Sequence, residues 1–573
     1  MNNRVIAMIL MVSSLCSCSS ATKKDKLPQG VAYFQYVEYL GNDKFYVENP
    51  LTENQYYNPV LQGCYSDPSV CQKGTYFYLV SSTFSFFPAM PIFRSTDMVN
   101  WEQIGNVLDR EEQFQNFDKR VSQGIYAPAL TYNEFDDTFY LVTTFVGGGG
   151  NFMVKAKDPA GPWSNPIWLP EVQGIDPSIF IDHDGTAYIC NNQDPEGGSL
   201  YQGHKAIWLQ KIDLETGKTE GERQMIRNGG NKLVEKPVWI EGPHVYHIGS
   251  YYYLLASEGG TSSDHAVCFY RGNEVWGPYE ACPHNPVLTQ RKLNPKRKNP
   301  VSNAGHADIV QMSDGSWRAV FLACRPYTEN NDFNLGRETF MLPFEWRENW
   351  PYFMGSADEI QLIGEGTALK SETKNGNFKW IETFEEKKFP LSWMFLRTPQ
   401  TQWWSFPEER SGVMLTAQPT NLREQKLSAF IGTRQQHHDF TFETKVQFDP
   451  CSASDFAGIT LFQNKAFHIT FGMTQCEGKP CAVVCQAEER GDVKRGVYDA
   501  EINAEITKQG LAKVELKAST DAVVLRVVCE RTQFSFYVND ELLLSGVDAK
   551  YLSVEQAGGF VGTMLALYVS SAE

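Results

Sequence analysis

Three carboxylates in this chain open short motifs of one form. They are Asp67-Pro-Ser-Val, Asp176-Pro-Ser-Ile and Glu241-Gly-Pro-His-Val. Ala127-Pro-Ala-Leu and His306-Ala-Asp-Ile repeat the form with a different first residue. Carboxylates brought together repel, and their pKa values spread apart. One is then kept protonated as an acid while another stays ionised as a base. Cleavage of a glycosidic bond needs that pair: an acid for the leaving oxygen, and a base or nucleophile on the other face of the sugar. A lone Asp-Pro is more simply a strand-opening turn with an Asx-type cap. Two in register within repeats, joined by a Glu, favour a shared site. No Ser/His/Asp set in the chain is comparably organised.

The repeat also says what must hold these residues. The five starts lie 60, 49, 65 and 65 residues apart. Each is soon followed by an aromatic-aliphatic strand: YFYLVSS from Tyr76, TFYLVTT from Thr138, TAYICNN from Thr186, YYYLLAS from Tyr251 and WRAVFLA from Trp317. A repeat of this length built from short strands predicts propeller blades, with the motif starts meeting at the axis. The expected fold is all-β, with a five-bladed β-propeller over residues 53–354. Trp101, Trp163, Trp276 and Trp350 each follow a polar turn and are expected to cover the next blade's sheet. Gly147 to Gly150 read as a hairpin turn, because no helix follows to hold a phosphate. The polar, Gly-rich stretch 355–378 reads as a linker. Residues 379–573 carry short alternating strands such as FTFETKVQF and AVVLRVVCE, which predict a β-sandwich.

At 573 residues the chain is too long for one ordinary domain. Its net charge of −17 argues against nucleic acid, which needs a basic surface, and suits a neutral partner such as a sugar. The basic run from Arg291 to Lys298 contains a proline and reads as a solvated loop. Residues 1–18 read as an export signal: Arg4 precedes an apolar core, Val5 to Val12, too short to span a membrane. Leu15-Cys16-Ser17-Cys18 resembles the lipobox of bacterial lipoproteins, with Cys18 the expected lipid-bearing residue and Cys16 the alternative. The expectation is an exported protein, lipid-anchored in a bacterial envelope and touching the membrane only there. Residues 19–52 then read as a polar tether. The chain has 13 cysteines. Cys64 and Cys71 bracket roughly 23 Å of extended chain, and Cys481 and Cys485 about 13 Å, both beyond disulfide reach. Most cysteines are expected to be buried and free. Cys476, Cys481 and Cys485 lack the histidines that would suggest a metal site.

Residues 58–105 resemble the opening blade of glycoside hydrolase family 43. GIYAPAL (124–130), GIDPSIF (174–180), IEGPHVY (240–246), EGGTSSDHA (258–266), GHADIV (305–310) and LGRETF (335–340) continue the resemblance. From Ile381 the chain resembles the concanavalin A-like sandwich that accompanies this family's β-xylosidases and α-L-arabinofuranosidases. The resemblance implies an inverting enzyme. Asp67 would be the general base that activates water, and Glu241 the general acid. Asp176 would orient the acid and keep its pKa raised. Sugar contacts are implied for Phe84, for Arg337 and for Tyr126, where relatives often carry Trp. His306 would sit on the axis, where relatives bind water or a calcium ion; no cofactor is required, and calcium would be structural. His265 matches the family's loop without an assigned role. A sandwich loop would close one side of the pocket, favouring removal of single terminal sugars. The sequence does not identify its closing residue.

The expected partner is a plant cell-wall oligosaccharide, with terminal β-xylose or α-L-arabinofuranose removed from xylan, arabinoxylan or arabinan. The motifs do not separate the two pentoses. A lipid-anchored glycan-binding protein without catalysis is the first alternative, disfavoured because all three carboxylates are kept. A fructan or sialic acid hydrolase on the same fold is the second. Glu241-Gly-Pro-His is not the acid motif of fructan enzymes.

Overall fold

The computed structural model describes residues 27–353, 359–365, 375–490, 494–496, 499–501, 505–517 and 521–571. The segment expected to be an export signal, with Cys16 and Cys18, lies outside the described residues. Five antiparallel sheets form the propeller, and each takes its strands from one continuous stretch of chain. Their innermost strands are Ser66–Lys73, Gly124–Asn133, Ile175–Ile181, Glu241–Ile248 and Ser302–Gln311. The aromatic-aliphatic strands come second in each blade. Thr138–Val146 and Trp317–Cys324 are buried along nearly their whole length. Such runs suit a strand covered on both faces by neighbouring blades, where β-branched and aromatic side chains pack well. Trp101, Trp163 and Trp350 are buried, and Trp276 packs against the core between the third and fourth blades.

Side chains tie the inner strands into a ring. Leu130 N donates to Ser69 Oγ (3.0 Å), and Ser69 Oγ donates to Asp308 Oδ2 (2.8 Å). Tyr246 OH donates to Asp308 Oδ1 at 2.6 Å. Ser178 Oγ donates to Pro243 O at 2.6 Å, and Thr131 Oγ1 to Ile179 O at 2.9 Å. Every neighbouring pair of blades is thereby linked. Asn58 adds a second seam between the first and fifth blades, exchanging two bonds with the Met341 backbone at 2.9 and 3.0 Å.

The sandwich consists of two eight-stranded sheets. Two expectations are corrected here. Residues 19–52 are not simply a tether: Val31–Gly41 is an interior strand of one sheet, between Phe440–Gln447 on one side and Val413–Thr416 with Lys379–Glu382 on the other. Phe34, Val37 and Tyr39 from it are fully buried. Within the expected linker, Ile363–Glu365 pairs with Gln55–Tyr57, and residues 366–374 lie outside the described residues. The second sheet takes its edge strand from the propeller: Phe86–Phe87 of the first blade pairs with Met394–Leu396. The two domains therefore share hydrogen-bonded backbone.

Cys476 and Cys481 form a disulfide with Cα atoms 5.9 Å apart. The sequence reading did not pair these two; Glu477 and Gly478, with φ of +54° and +81°, fold the chain back into a hairpin that brings them together. Seven of the nine free cysteines described are buried, as expected.

Candidate active site

Every inner strand carries a bulge at the same place, where its pairing with the second strand slips. Within each bulge one residue is left-handed: Asp67 (φ +53°), Ala127 (+42°), Asp176 (+52°), Gly242 (+55°) and His306 (+49°). Side-chain-bearing residues rarely adopt this conformation, and the strain is tolerated where function needs the geometry. Four of the five slots hold it regardless. The fourth blade departs from the sequence reading. Its slot is Gly242, and Glu241 stands one residue earlier, in the register of Ser66, Tyr126 and Ile175.

The slots are held from blade to blade. Ser82 Oγ of the first blade accepts from Ala127 N of the second at 2.8 Å. Thr144 Oγ1 accepts from Asp176 N at 3.2 Å, and Ser257 Oγ from His306 N at 2.7 Å. The matching residue of the third blade is Asn192, whose amide instead donates to Ile240 O at 2.6 Å. Gly242 N takes a different acceptor, Asp176 Oδ2, at 3.1 Å. The third carboxylate thus grips the backbone next to Glu241. Ser82 Oγ also donates to Asp67 Oδ2 at 2.6 Å, and His306 Nδ1 lies 3.7 Å from Asp67 Oδ1.

Burial pushes the Glu241 carboxyl well above the usual range, and the charges of Asp176 and Asp67 push it further, with Arg337 opposing. Burial also raises Asp176, to about 6, with Asp67 adding to it and His306 and the Gly242 N–H opposing. Asp176 is therefore the first of the two to ionise. Glu241 keeps its proton into a range where an ordinary carboxyl has lost it. The result is a protonated carboxyl beside an ionised one, an arrangement able to serve acid/base cleavage.

Phe84 and Tyr126 lie together, with ring centroids 5.4 Å apart, and both meet Phe560 of the sandwich, at 6.3 and 5.8 Å. Phe560 is the sandwich residue that the structure brings against these two rings, a residue the sequence reading did not identify. It sits in a Gly-Gly-Phe-Val-Gly loop with no strand periodicity, about 500 residues from Asp67 in the chain. Its backbone N donates to Ser122 Oγ of the second blade at 2.9 Å. Arg337 Nη1 donates to Phe560 O at 3.4 Å, and the guanidinium carbon lies 4.7 Å from the Phe560 ring centre. Phe84 is buried at 2 % exposure, while Tyr126 is half-buried. His265 lies close enough to His306, Arg337 and Asp67 to feel their charges. It is 1 % exposed, its Nδ1 pairs with Asn303 O at 3.0 Å, and burial lowers its pKa to about 3. Its ring lies against Gly305, where a Cβ would stand 2.3 Å away, so it supports the chain that carries His306.

Among the described residues, Asp182, His183 and His247 are the group whose donor atoms lie close enough to suggest a metal ion. They lie near the far ends of the inner strands, away from Asp176 and Glu241. The two imidazoles stack at 4.3 Å, inclined by only 16°, so their lone pairs run side by side rather than converging. Asp182 is occupied by His247 Nδ1 and by Tyr252 OH, each at 2.7 Å.

Comparison with known proteins agrees with this geometry. Residues 56–351 match the model of glycosyl hydrolases family 43, and residues 381–573 match the β-xylosidase C-terminal concanavalin A-like domain. A "Xylosidase/arabinosidase" of Butyrivibrio fibrisolvens is 36 % identical over 90 % of this chain and 95 % of its own. A "Non-reducing end alpha-L-arabinofuranosidase" of Bacteroides ovatus is 34 % identical over 91 % and 92 %. Among solved structures, a family 43 protein from capybara gut metagenome superposes with a TM-score of 0.86 at 36 % identity, covering 95 % of this chain and 99 % of its own. The chain belongs to glycosyl hydrolase family 43, a family of inverting glycoside hydrolases, and carries that family's β-xylosidase sandwich domain.

Proposed function

We propose that this enzyme removes single terminal pentoses, β-xylose or α-L-arabinofuranose, from hemicellulose oligosaccharides. The observation that carries the reading is the Asp176–Gly242 bond beside a protonated Glu241. Glu241 donates its proton to the leaving oxygen. Asp67, its Oδ2 fixed by Ser82, takes the proton of the attacking water as that water adds to the anomeric carbon. Inversion places the water between acid and base, which in inverting enzymes stand about 6.5–9.5 Å apart. The Phe560 loop and Arg337 support exo action, because they draw the sandwich against the aromatic side of the cleft. The relatives named for xylosidase and for arabinofuranosidase activity support both pentoses.

Every proton donor and acceptor in this scheme is a side chain, so the reaction needs no cofactor. Calcium takes six to eight oxygen ligands. The surroundings of His306 offer the Asp67 and Asp176 carboxylates and ring nitrogens, fewer oxygens than calcium takes, so calcium held by protein alone does not suit them, and a water-held ion there would be structural. The lipobox-like segment supports an exported, lipid-anchored protein. Cys18→Ala should abolish incorporation of labelled palmitate in a bacterial host; labelling that persists would point to Cys16, and a wild type that takes up no label would overturn the anchor.

The decisive assay compares Asp67→Asn and Glu241→Gln with wild type on aryl β-xyloside and aryl α-L-arabinofuranoside. Both variants should lose about 10²- to 10⁴-fold in kcat. Glu241→Gln should lose least on the most acidic phenol, which departs without a proton. Equal activity in variants and wild type would overturn the assignment.

A further inference from the structure

Trp239 has no role in the scheme above, yet its position calls for one. It is left-handed, with φ +53°, and 39 % exposed. A bulky residue in that conformation is a genuine outlier, and burial does not explain it here. The fold nonetheless fixes the ring in place. Trp239 N donates to Gly203 O at 2.8 Å, and Gly259 N donates to Val238 O at 2.9 Å. The indole edge runs between two glycines: a Cβ on Gly203 would stand 3.4 Å from Trp239 Nε1, and one on Gly260 3.5 Å from Trp239 Cδ1. Lys205 Nζ lies 5.3 Å from the ring centre and is itself anchored to Asp194 at 2.6 Å. Trp239 precedes Glu241 by two residues, so their Cα atoms lie within about 7 Å. The acid works on the leaving-group side of the scissile bond.

We propose that Trp239, with Lys205 beside it, is the platform for the leaving-group sugar, a pentose ring of an unbranched chain. The C–H face of such a ring stacks on an indole, and its hydroxyls meet the lysine ammonium. This deepens the reading of the enzyme as an exo-pentosidase and rests on it.

The test separates substrates that have a leaving-group sugar from those that have none. Xylotriose and β-D-xylopyranosyl fluoride form one pair; α-1,5-arabinotriose and α-L-arabinofuranosyl fluoride form the other. In the pair that wild type accepts, Trp239→Ala should lose about 3- to 10-fold in kcat/KM on the trisaccharide, the scale of one aromatic contact, and change the fluoride rate less than twofold. Trp239→Phe should keep most of the trisaccharide activity. Trp239→Gly removes the backbone strain with the ring; it should stay folded and lose the same selectivity. Equal losses on both substrates, or no loss on either, overturn the platform alone. A wild type that cleaves neither fluoride overturns the pentosidase reading, and the platform with it.

Discussion

Gly242 answers two demands at once. Its φ of +55° disfavours a side chain, and a Cβ there would stand 2.9 Å from His306 Cε1. Gly242→Ala should therefore cost about 1–3 kcal/mol of stability and lower kcat/KM as the backbone beside Glu241 shifts. Denaturant unfolding and kinetics on one preparation would show both. Asp176 acts on the same spot in two ways, by charge and by a hydrogen bond. Asp176→Asn separates them, because an amide oxygen still accepts from Gly242 N while the charge is gone. The Asp176 charge raises the Glu241 pKa, so removing it lowers that pKa. Activity needs protonated Glu241 and falls as pH rises through its pKa. The alkaline limb of the pH profile of kcat/KM should therefore move to lower pH in Asp176→Asn. An unmoved limb would mean that another group sets it.

The bulged inner strand is the element that makes the site. Its signature was legible: a polar or small residue, often followed by Pro, then an aliphatic residue three or four positions on, five times over. The slip that gives Glu241 a different register from Asp67 and Asp176 was not, because Gly242 looks like part of the turn until its backbone angle is known. Phe560 was illegible for another reason. A loop residue has no periodicity, and only the docking of the sandwich brings it to Tyr126. The same holds for Val31–Gly41, an alternating strand whose partner at Phe440–Gln447 lies some 400 residues away, so no nearby hairpin announced it. If the Phe560 ring borders the sugar, Phe560→Ala should raise KM about 3- to 10-fold and change kcat less, the mark of lost uniform binding. A variant with an unchanged KM would confine the residue to domain packing.

The whole molecule is stitched together at several depths. Phe86–Phe87 extends a sandwich sheet, and Val31–Gly41 fills the interior of the other. Arg325 is buried where the propeller meets the segment after that strand. It makes a bidentate pair with Glu338 at 2.6 and 2.9 Å, and its Nη1 lies 3.1 Å from Tyr46 OH and 3.5 Å from Asp43. Arg325→Ala should destabilise the protein by about 3–5 kcal/mol, because Glu338 and Asp43 are left as unpaired buried acids. Deleting residues 27–41 should leave an insoluble or unfolded sandwich, and a soluble, active truncation would contradict the strand's place in the sheet. Ser82, Thr144 and Ser257 each belong to one blade and secure the left-handed residue of the next. A blade is therefore not an independent cassette. Transplanting the third blade from a relative would import a new Asp176 but leave its clasp, Thr144, behind. The unit that evolution or a designer can exchange without losing alignment is the seam: the second strand of one blade together with the first strand of its successor.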